Sequence, residues 1–317
     1  MKWIAYAPAN IALIKYMGKE DHTQNFPSNP SLSYTLDHLR SYVELETSTT
    51  SEDQWEPMAN RNDFRLTPNE QKRFLNHLAF IKNYFNYTGT FYLRSANDFP
   101  TACGLASSAS SFAALTKCAV NALCEIQNKP LLSLKEISSL SRQGSGSSCR
   151  SLFYPYALWQ YDYAEEITLP YPDLLHMTVV VTQEQKKVSS SMAHRLVTQS
   201  LLFDSRPKRA TLRLEQLLSA FQDKNWHRAY EIVWQEFWDM HALFETTTPS
   251  FGYLSAASLT VLALLRQYWE NNHDGPLITM DAGPNIHLLF RPDQQSAYQE
   301  IAELLKPHYT LFTPCLT

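Results

Sequence analysis

Glycine is scarce, with 8 among 317 residues; that is about 2.5%, where an average protein has roughly 7%. This excludes collagen-like, glycine-linker and glycine-rich disordered architectures. It also gives weight to each position used: 18, 89, 104, 144, 146, 252, 275 and 283. Cysteine is sparing too. Cys103, Cys118, Cys124, Cys149 and Cys315 are odd in number and form no C-x-x-C pair. A disulfide framework or zinc site is therefore not expected, and a reducing cytosol fits. No run of 18 apolar residues exists, so no membrane span is expected. The opening MKWIAYAPANIALIKYMGKED is broken too early by Lys15 and Lys19 for a signal peptide. An excess of one charge is also missing. The 27 Lys and Arg against 31 Asp and Glu leave −4, which gives no global attraction to nucleic acid or anionic membrane. An anionic ligand would have to be met by local basic residues.

What is present suits a folded chain. Hydrophobic residues make up 44% and aromatic ones 13%, and the length exceeds that at which single cores tend to split. Two lobes or two domains are expected. Residues 3–7 and 41–47 alternate as strands do, and 48–69 read as a polar loop or hairpin. Phe74, Leu75, Leu78, Ile81 and Phe85 fall on one helical face. A strand is expected at 90–94, a helix over 105–124, and another capped by Ser133. In the second half, 176–182 reads as a buried strand. Helical patterns fill 190–204, 208–222, 226–244 and 254–270, followed by strands at 277–281 and 286–290, a helix at 295–305 and a strand near 309–313. Leaving out the extra helices, the order is β-α-β-β-α-β, a ferredoxin-like arrangement. The prolines around 165–175 mark the boundary, which gives units of 1–170 and 171–317.

Three segments concentrate small and polar residues. Pro100 to Ser111 places Gly104, Leu105, Ala106, Ser107 and Ser108 at the start of a helix. Unpaired N–H groups and the dipole there suit a phosphate; a serine-capped helix packed through its alanines is the plainer reading. Arg142 to Arg150 holds Gly144, Ser145, Gly146, Ser147 and a cation. It reads as an anion site, or more blandly as an interhelical loop. Met280 to Asn285 sets Asp281 at a strand end before a tight turn; such a carboxylate can point into a cleft or satisfy its own backbone. Asn10, Lys15, Tyr16 and Lys19 decorate the N-terminal apolar segment.

Taken in order, these segments resemble the GHMP superfamily of small-molecule kinases, whose P-x-x-x-G-L-x-S-S-A motif matches Pro100 to Ala109. Within it, the chain is similar to the diphosphomevalonate decarboxylases. The similarity is carried by APANIALIKYMGK (7–19), PSLSYTLD (30–37), NDFPTACGLASSAS (97–110), RQGSGSSCRSL (142–152) and ITMDAGPN (278–285). The resemblance implies an α+β fold of two lobes, an N-terminal ribosomal-protein-S5-like lobe and a C-terminal ferredoxin-like lobe with extra helices. It implies ATP-dependent 3-phosphorylation of mevalonate 5-diphosphate, then loss of phosphate and carbon dioxide to give isopentenyl diphosphate. By the same resemblance Asp281, Lys15 and Arg150 are catalytic, and Tyr16, Lys19, Ser145, Gly146, Ser147 and Arg150 bind the substrate. Gly104, Leu105, Ala106, Ser107, Ser108 and Lys187 hold ATP, with Ser107 on Mg²⁺ and Lys186 an alternative to Lys187. A cytoplasmic homodimer that binds neither nucleic acid nor membrane is implied as well.

Four places depart from the family pattern: Met17, Tyr154-Pro155, Met192-Ala193-His194 and Glu236-Phe237-Trp238. Two of them put bulk where relatives have none, which bears on pocket shape and on the preferred phosphorylation state. A related kinase, a decarboxylase of another mevalonate derivative and a binder without turnover are the competing readings.

Overall fold

The computed structural model describes residues 1–58, 66–99, 107–182 and 186–314, the side chain of Ser107 excepted. The chain opens with β1 (Lys2–Ile14), β2 (Lys19–Asp21), β3 (Phe26–Pro27), β4 (Ser31–Ser48) and β5 (Gln54–Pro57). Then come α1 (Pro68–Tyr84), β6 (Thr90–Asn97), α2 (Ser107–Ile126), α3 (Leu134–Gly144), a 3₁₀ helix (Gly146–Leu152), β7 (Tyr156–Trp159) and β8 (Ala164–Ile167). The rest is β9 (Leu175–Val180), α4 (Ser190–Leu196), α5 (Arg206–Gln222), α6 (Trp226–Glu245), α7 (Ala256–Asn272), β10 (Leu277–Thr279), β11 (Ile286–Phe290), α8 (Gln295–Leu305) and β12 (Thr310–Phe312). The helix starts obey local chemistry. Thr67 with Glu70 and Ser133 with Glu136 form capping boxes, each satisfying two orphan backbone donors.

Two sheets organise the chain. In the first, β4 is central: β1 pairs along one edge, and β6 and β7 share the other, with β5 and β8 outside them. The second runs β12-β9-β11-β10, all antiparallel, which is the expected ferredoxin-like order. The expected helix over 190–204 is shorter: α4 ends at Leu196, and beyond Val197 the chain presents Leu201 almost fully to solvent. The polar 48–69 segment contains β5, which pairs parallel to β6.

The strand β1 decides where the site lies. Its first half alternates between exposed and buried residues, as a half-covered strand does. From Ala9 to Ile14 every residue is buried, because this end runs beneath the second sheet. Ala9, Ile11 and Leu13 share one core with Met177, Val179, Phe221, Phe237, Ile278 and Leu288. Thr279 Oγ1 donates to the Ala12 carbonyl at 3.2 Å, a polar stitch within that core. A separate core lies between α1, α2 and the other half of the first sheet, around Val43, Leu78, Leu93 and Phe112. The register of β1 against β4 shifts between Ala12 and Ile14. Such irregularities re-aim the chain, and here Lys15 follows.

Candidate active site

Lys15 is buried with its Nζ 2.8 Å from Asp281 Oδ1; its side chain is 1% exposed and that of Asp281 32%. The pair joins the end of β1 to the turn after β10, 266 positions apart. Burial alone would push the Asp281 carboxyl up. The Lys15 ammonium, His287 and Arg150 outweigh it and hold the group below the ordinary carboxylate range. Burial pulls Lys15 below the usual lysine range, opposed by Asp281 and Glu236. The turn itself is pinned: the Asp281 carbonyl accepts from Gly283 N–H at 2.7 Å and from His241 Nε2 at 3.2 Å. Asn285 Oδ1 accepts from Val181 N–H at 3.0 Å. The strand-end aspartate thus points its carboxylate at a lysine rather than at its own turn.

Arg150, in the 3₁₀ helix, is also buried. Its Nη1 donates to Ser31 Oγ at 2.6 Å, and its Nε and Nη2 both reach Asn10 Oδ1 at 3.2 Å. Asn10 is fixed in turn by donating to Ser151 Oγ at 2.8 Å. These partners are neutral, so the guanidinium keeps its charge for another acceptor, and a guanidinium suits a carboxylate.

Tyr16 is wedged between Trp159 and His194, with ring centroids 4.6 and 4.3 Å away. Its hydroxyl is buried without a partner among the described residues. Burial raises its pKa well above the ordinary value, so it stays a donor. A side chain on Gly146 would begin 2.7 Å from that hydroxyl, which is why the backbone is bare there. Ser145 and Ser147 flank Gly146, both half-buried. Lys19 donates to Asn25 Oδ1, and Asn25 Nδ2 donates to the carbonyls of Arg142 and Gln143 at 2.9 and 3.0 Å. Burial, then Arg195, then Arg73 depress Lys19 to about 8. Cations gathered in this way form a seat for an anion.

Sequence reasoning passed over several contributors. Arg73 and Arg195 come from α1 and α4 and carry no local motif. His194 accepts from Gly18 N–H through Nδ1 at 3.0 Å, and burial lowers it to about 3, so the ring is a neutral acceptor. Gly18 itself sits at φ +100, where a side chain is strained. Phe237 lies in the shared core with Trp238 packed against it, and Met17 packs with Met240, Phe244 and Tyr253.

The segment expected to bind phosphate, Pro100 to Ala106 with Gly104, Leu105 and Ala106, lies outside the described residues, as does the Ser107 side chain. Ser108 stands exposed in the first turn of α2. Ser110 and Ser111 tie the helix start to Ser41 Oγ at 2.7 and 3.1 Å. Of the two candidate lysines, Lys186 is the one near the aspartate turn. Its Nζ would lie 3.2 Å from a Cβ on Gly283; both lysines are exposed. Among the described residues, no group of three or more His, Cys, Asp or Glu is placed to hold a metal ion. No helix among them is long and apolar enough to cross a membrane.

Comparison with known proteins shows the family. Residues 7–168 match the diphosphomevalonate decarboxylase-like N-terminal domain, and 176–313 match the mevalonate 5-diphosphate decarboxylase C-terminal domain. The diphosphomevalonate decarboxylase of Ganoderma lucidum is 32% identical, over 96% of this chain and 81% of that protein. The crystal structure of a mevalonate diphosphate decarboxylase from Legionella pneumophila superimposes with a TM-score of 0.93 at 48% identity, over 98% of this chain and 100% of that one. A solved structure described as "MDDEF in complex with MVAPP, AMPPCP and Magnesium" aligns at a TM-score of 0.87 and 31% identity, over 99% and 97%. The chain belongs to the diphosphomevalonate decarboxylase family.

Proposed function

We propose that the protein catalyses the ATP-dependent decarboxylation of mevalonate 5-diphosphate to isopentenyl diphosphate. The observation that carries this reading is the Lys15–Asp281 ion pair at 2.8 Å, with the Arg150 charge acting on the same carboxylate. A tertiary alcohol is a poor nucleophile. An ionised Asp281 orients the 3-hydroxyl and accepts its proton as the γ-phosphoryl group arrives. Lys15 keeps that carboxylate charged in a buried setting. The proton then returns from Asp281 to the departing phosphate, and the re-ionised carboxylate stabilises the positive charge that grows at carbon 3. Arg150, oriented by Asn10 and Ser31, holds the substrate carboxylate until carbon dioxide leaves.

The 5-diphosphate lies against Lys19, the unpartnered Tyr16 hydroxyl, Ser145, Gly146 and Ser147, with Arg73 and Arg195 behind Lys19. ATP is held by the Gly104 to Ser108 segment, with Lys186 or Lys187 closing over its phosphates. These donors fit a polyphosphate, and Mg²⁺ on the phosphates, with Ser107 as a protein ligand, would neutralise charge during transfer. The division of labour follows the chain. Residues 1–170 supply Lys15, Arg150 and most of the anion seats, and 171–317 supply Asp281, Arg195 and the Lys186–Lys187 pair.

Turnover of mevalonate, its 5-phosphate and its 5-diphosphate, compared by kcat/KM with MgATP, tests the assignment. The 5-diphosphate should lead by at least about tenfold, the worth of one charge-assisted contact. A preference for the 5-phosphate would transfer the assignment to a decarboxylase of that compound.

A further inference from the structure

The backbone of Lys15 is gripped at both its N–H and its carbonyl by charged side chains of the second half. Its N–H donates to Glu236 Oε1 at 2.9 Å. Its carbonyl accepts from Arg206 Nη2 at 3.1 Å and from Asn29 Nδ2 at 2.8 Å. Arg206 and Glu236 also bind each other in a forked pair, and neither side chain has any exposed surface. Around this pair lies a second ring. Asp239 accepts from Arg206, Arg209 and Arg213, and Arg213 reaches Glu236 Oε2 at 3.1 Å. Three guanidinium groups and two carboxylates are thus gathered where β1 leaves its sheet.

A buried ion pair is weak evidence for stability, because desolvation offsets the attraction. What it does well is fix geometry, and both halves of this pair close on one backbone unit. That unit carries the lysine whose Nζ ends 2.8 Å from Asp281. We propose that Arg206 and Glu236 are positioning residues for the reaction, a clamp on the Lys15 backbone that sets the Lys15–Asp281 distance. This rests on the assignment of Asp281 and Lys15 made above. It gives a role to Glu236, which sequence comparison marks only as part of a departure, and to Arg206, which no motif marks.

The charged and titratable groups facing the two atoms are few. Lys15, His287, Arg150 and Lys186 act on Asp281, while Asp281, Glu236 and Arg150 act on Lys15; His241 lies beside both. Removing Glu236 alone would change the local charge as well as the grip. The informative variant is therefore the double substitution Arg206→Met with Glu236→Gln. It removes one positive and one negative charge together and leaves no partner of the pair buried alone. The field at Asp281 stays close to its native value, while the Arg206 contact to the Lys15 carbonyl is lost and Asn29 alone still holds that oxygen.

The measurements are kcat and KM for mevalonate 5-diphosphate, the pH dependence of kcat, and urea unfolding. The expected result is a folded protein whose kcat falls about tenfold or more with KM within about twofold. The acid limb of the profile should move to higher pH, because a loosened Lys15 no longer holds Asp281 down. Arg206→Lys, which keeps one donor, should recover part of the rate, and it stands in as the test if the double variant does not fold. Arg209→Gln, in the outer ring, should change stability only. The Asp281 carboxyl resonance, assigned with Asp281→Asn, gives a readout independent of turnover and should titrate higher in the double variant. A folded double variant with native kcat, native acid limb and native Asp281 titration would overturn the clamp. Absence of turnover in the unmodified protein would instead overturn the assigned reaction, and the resonance would still decide the clamp.

Discussion

Replacing Asp281 by asparagine changes one oxygen and removes one charge. Two effects of different size follow. The first is on stability. Lys15 keeps 1% of its side chain exposed, so its ammonium would lose its contacting counter-charge, with only the more distant Glu236 left to oppose burial. Breaking a fully buried pair costs about 3–5 kcal/mol. Neutralising an ordinary lysine at pH 7 costs about 5 kcal/mol, which caps the loss. Because Asp281 is 32% exposed, solvent relieves part of it, and roughly 2–3 kcal/mol is expected. The second effect is on chemistry. Loss of a general base removes about 10²–10⁴ in rate, and the carboxylate that steadies charge at carbon 3 goes with it; kcat should fall by at least about 10³. KM should change little, since the anion seats are elsewhere. Urea unfolding and release of carbon dioxide measure the two separately. The sign with pH is also fixed. In the variant, Lys15 is pushed further below its unfolded value, so the folded state binds fewer protons. Stability then rises as pH climbs from 7 toward about 10. A variant with near-native kcat, or one whose stability is level with pH, would refute the reasoning.

Other consequences follow from the same contacts. Lys19, depressed to about 8, carries its charge below that pH and loses it above, so kcat/KM should decline beyond about pH 8 and Lys19→Ala should raise KM and abolish that limb. Arg150→Lys keeps the charge but loses the fork that reaches Ser31 and Asn10; kcat should drop about 10–100-fold with the fold intact by circular dichroism. Gly146→Ala places a methyl 2.7 Å from the Tyr16 hydroxyl. The ring cannot retreat between Trp159 and His194, so KM for the diphosphate should rise at least about tenfold, and an unchanged KM would remove this contact from the seat.

Legibility varied with how local each signal is. Asp281, Lys15 and Arg150 stand in short segments that carry the family resemblance, and it is the resemblance that gave them their roles; the fold joins them. The Ser133 cap and the strand pattern of the second sheet were likewise readable, because each depends on neighbours within a few positions. The strand β1 was read only over 3–7. From Ala9 onward both faces are buried, and the alternation that marks a strand is lost. The four-residue strands β7 and β8 are too short to show a period. The clamp was invisible for another reason: Glu236 meets Lys15 across 221 positions, and nothing local requires that contact. His194 stood out only as part of a departure from the family pattern, and its contact to the Gly18 backbone spans 176 positions.

The central claim is that Asp281, kept charged by Lys15, drives phosphoryl transfer to the 3-hydroxyl and then the coupled loss of phosphate and carbon dioxide. The measurement closest to it is the ratio of carbon dioxide to ADP released from mevalonate 5-diphosphate labelled at carbon 1, with MgATP. The account predicts equal amounts of both, together with phosphate and isopentenyl diphosphate. ADP formed without carbon dioxide, or neither product, would contradict it.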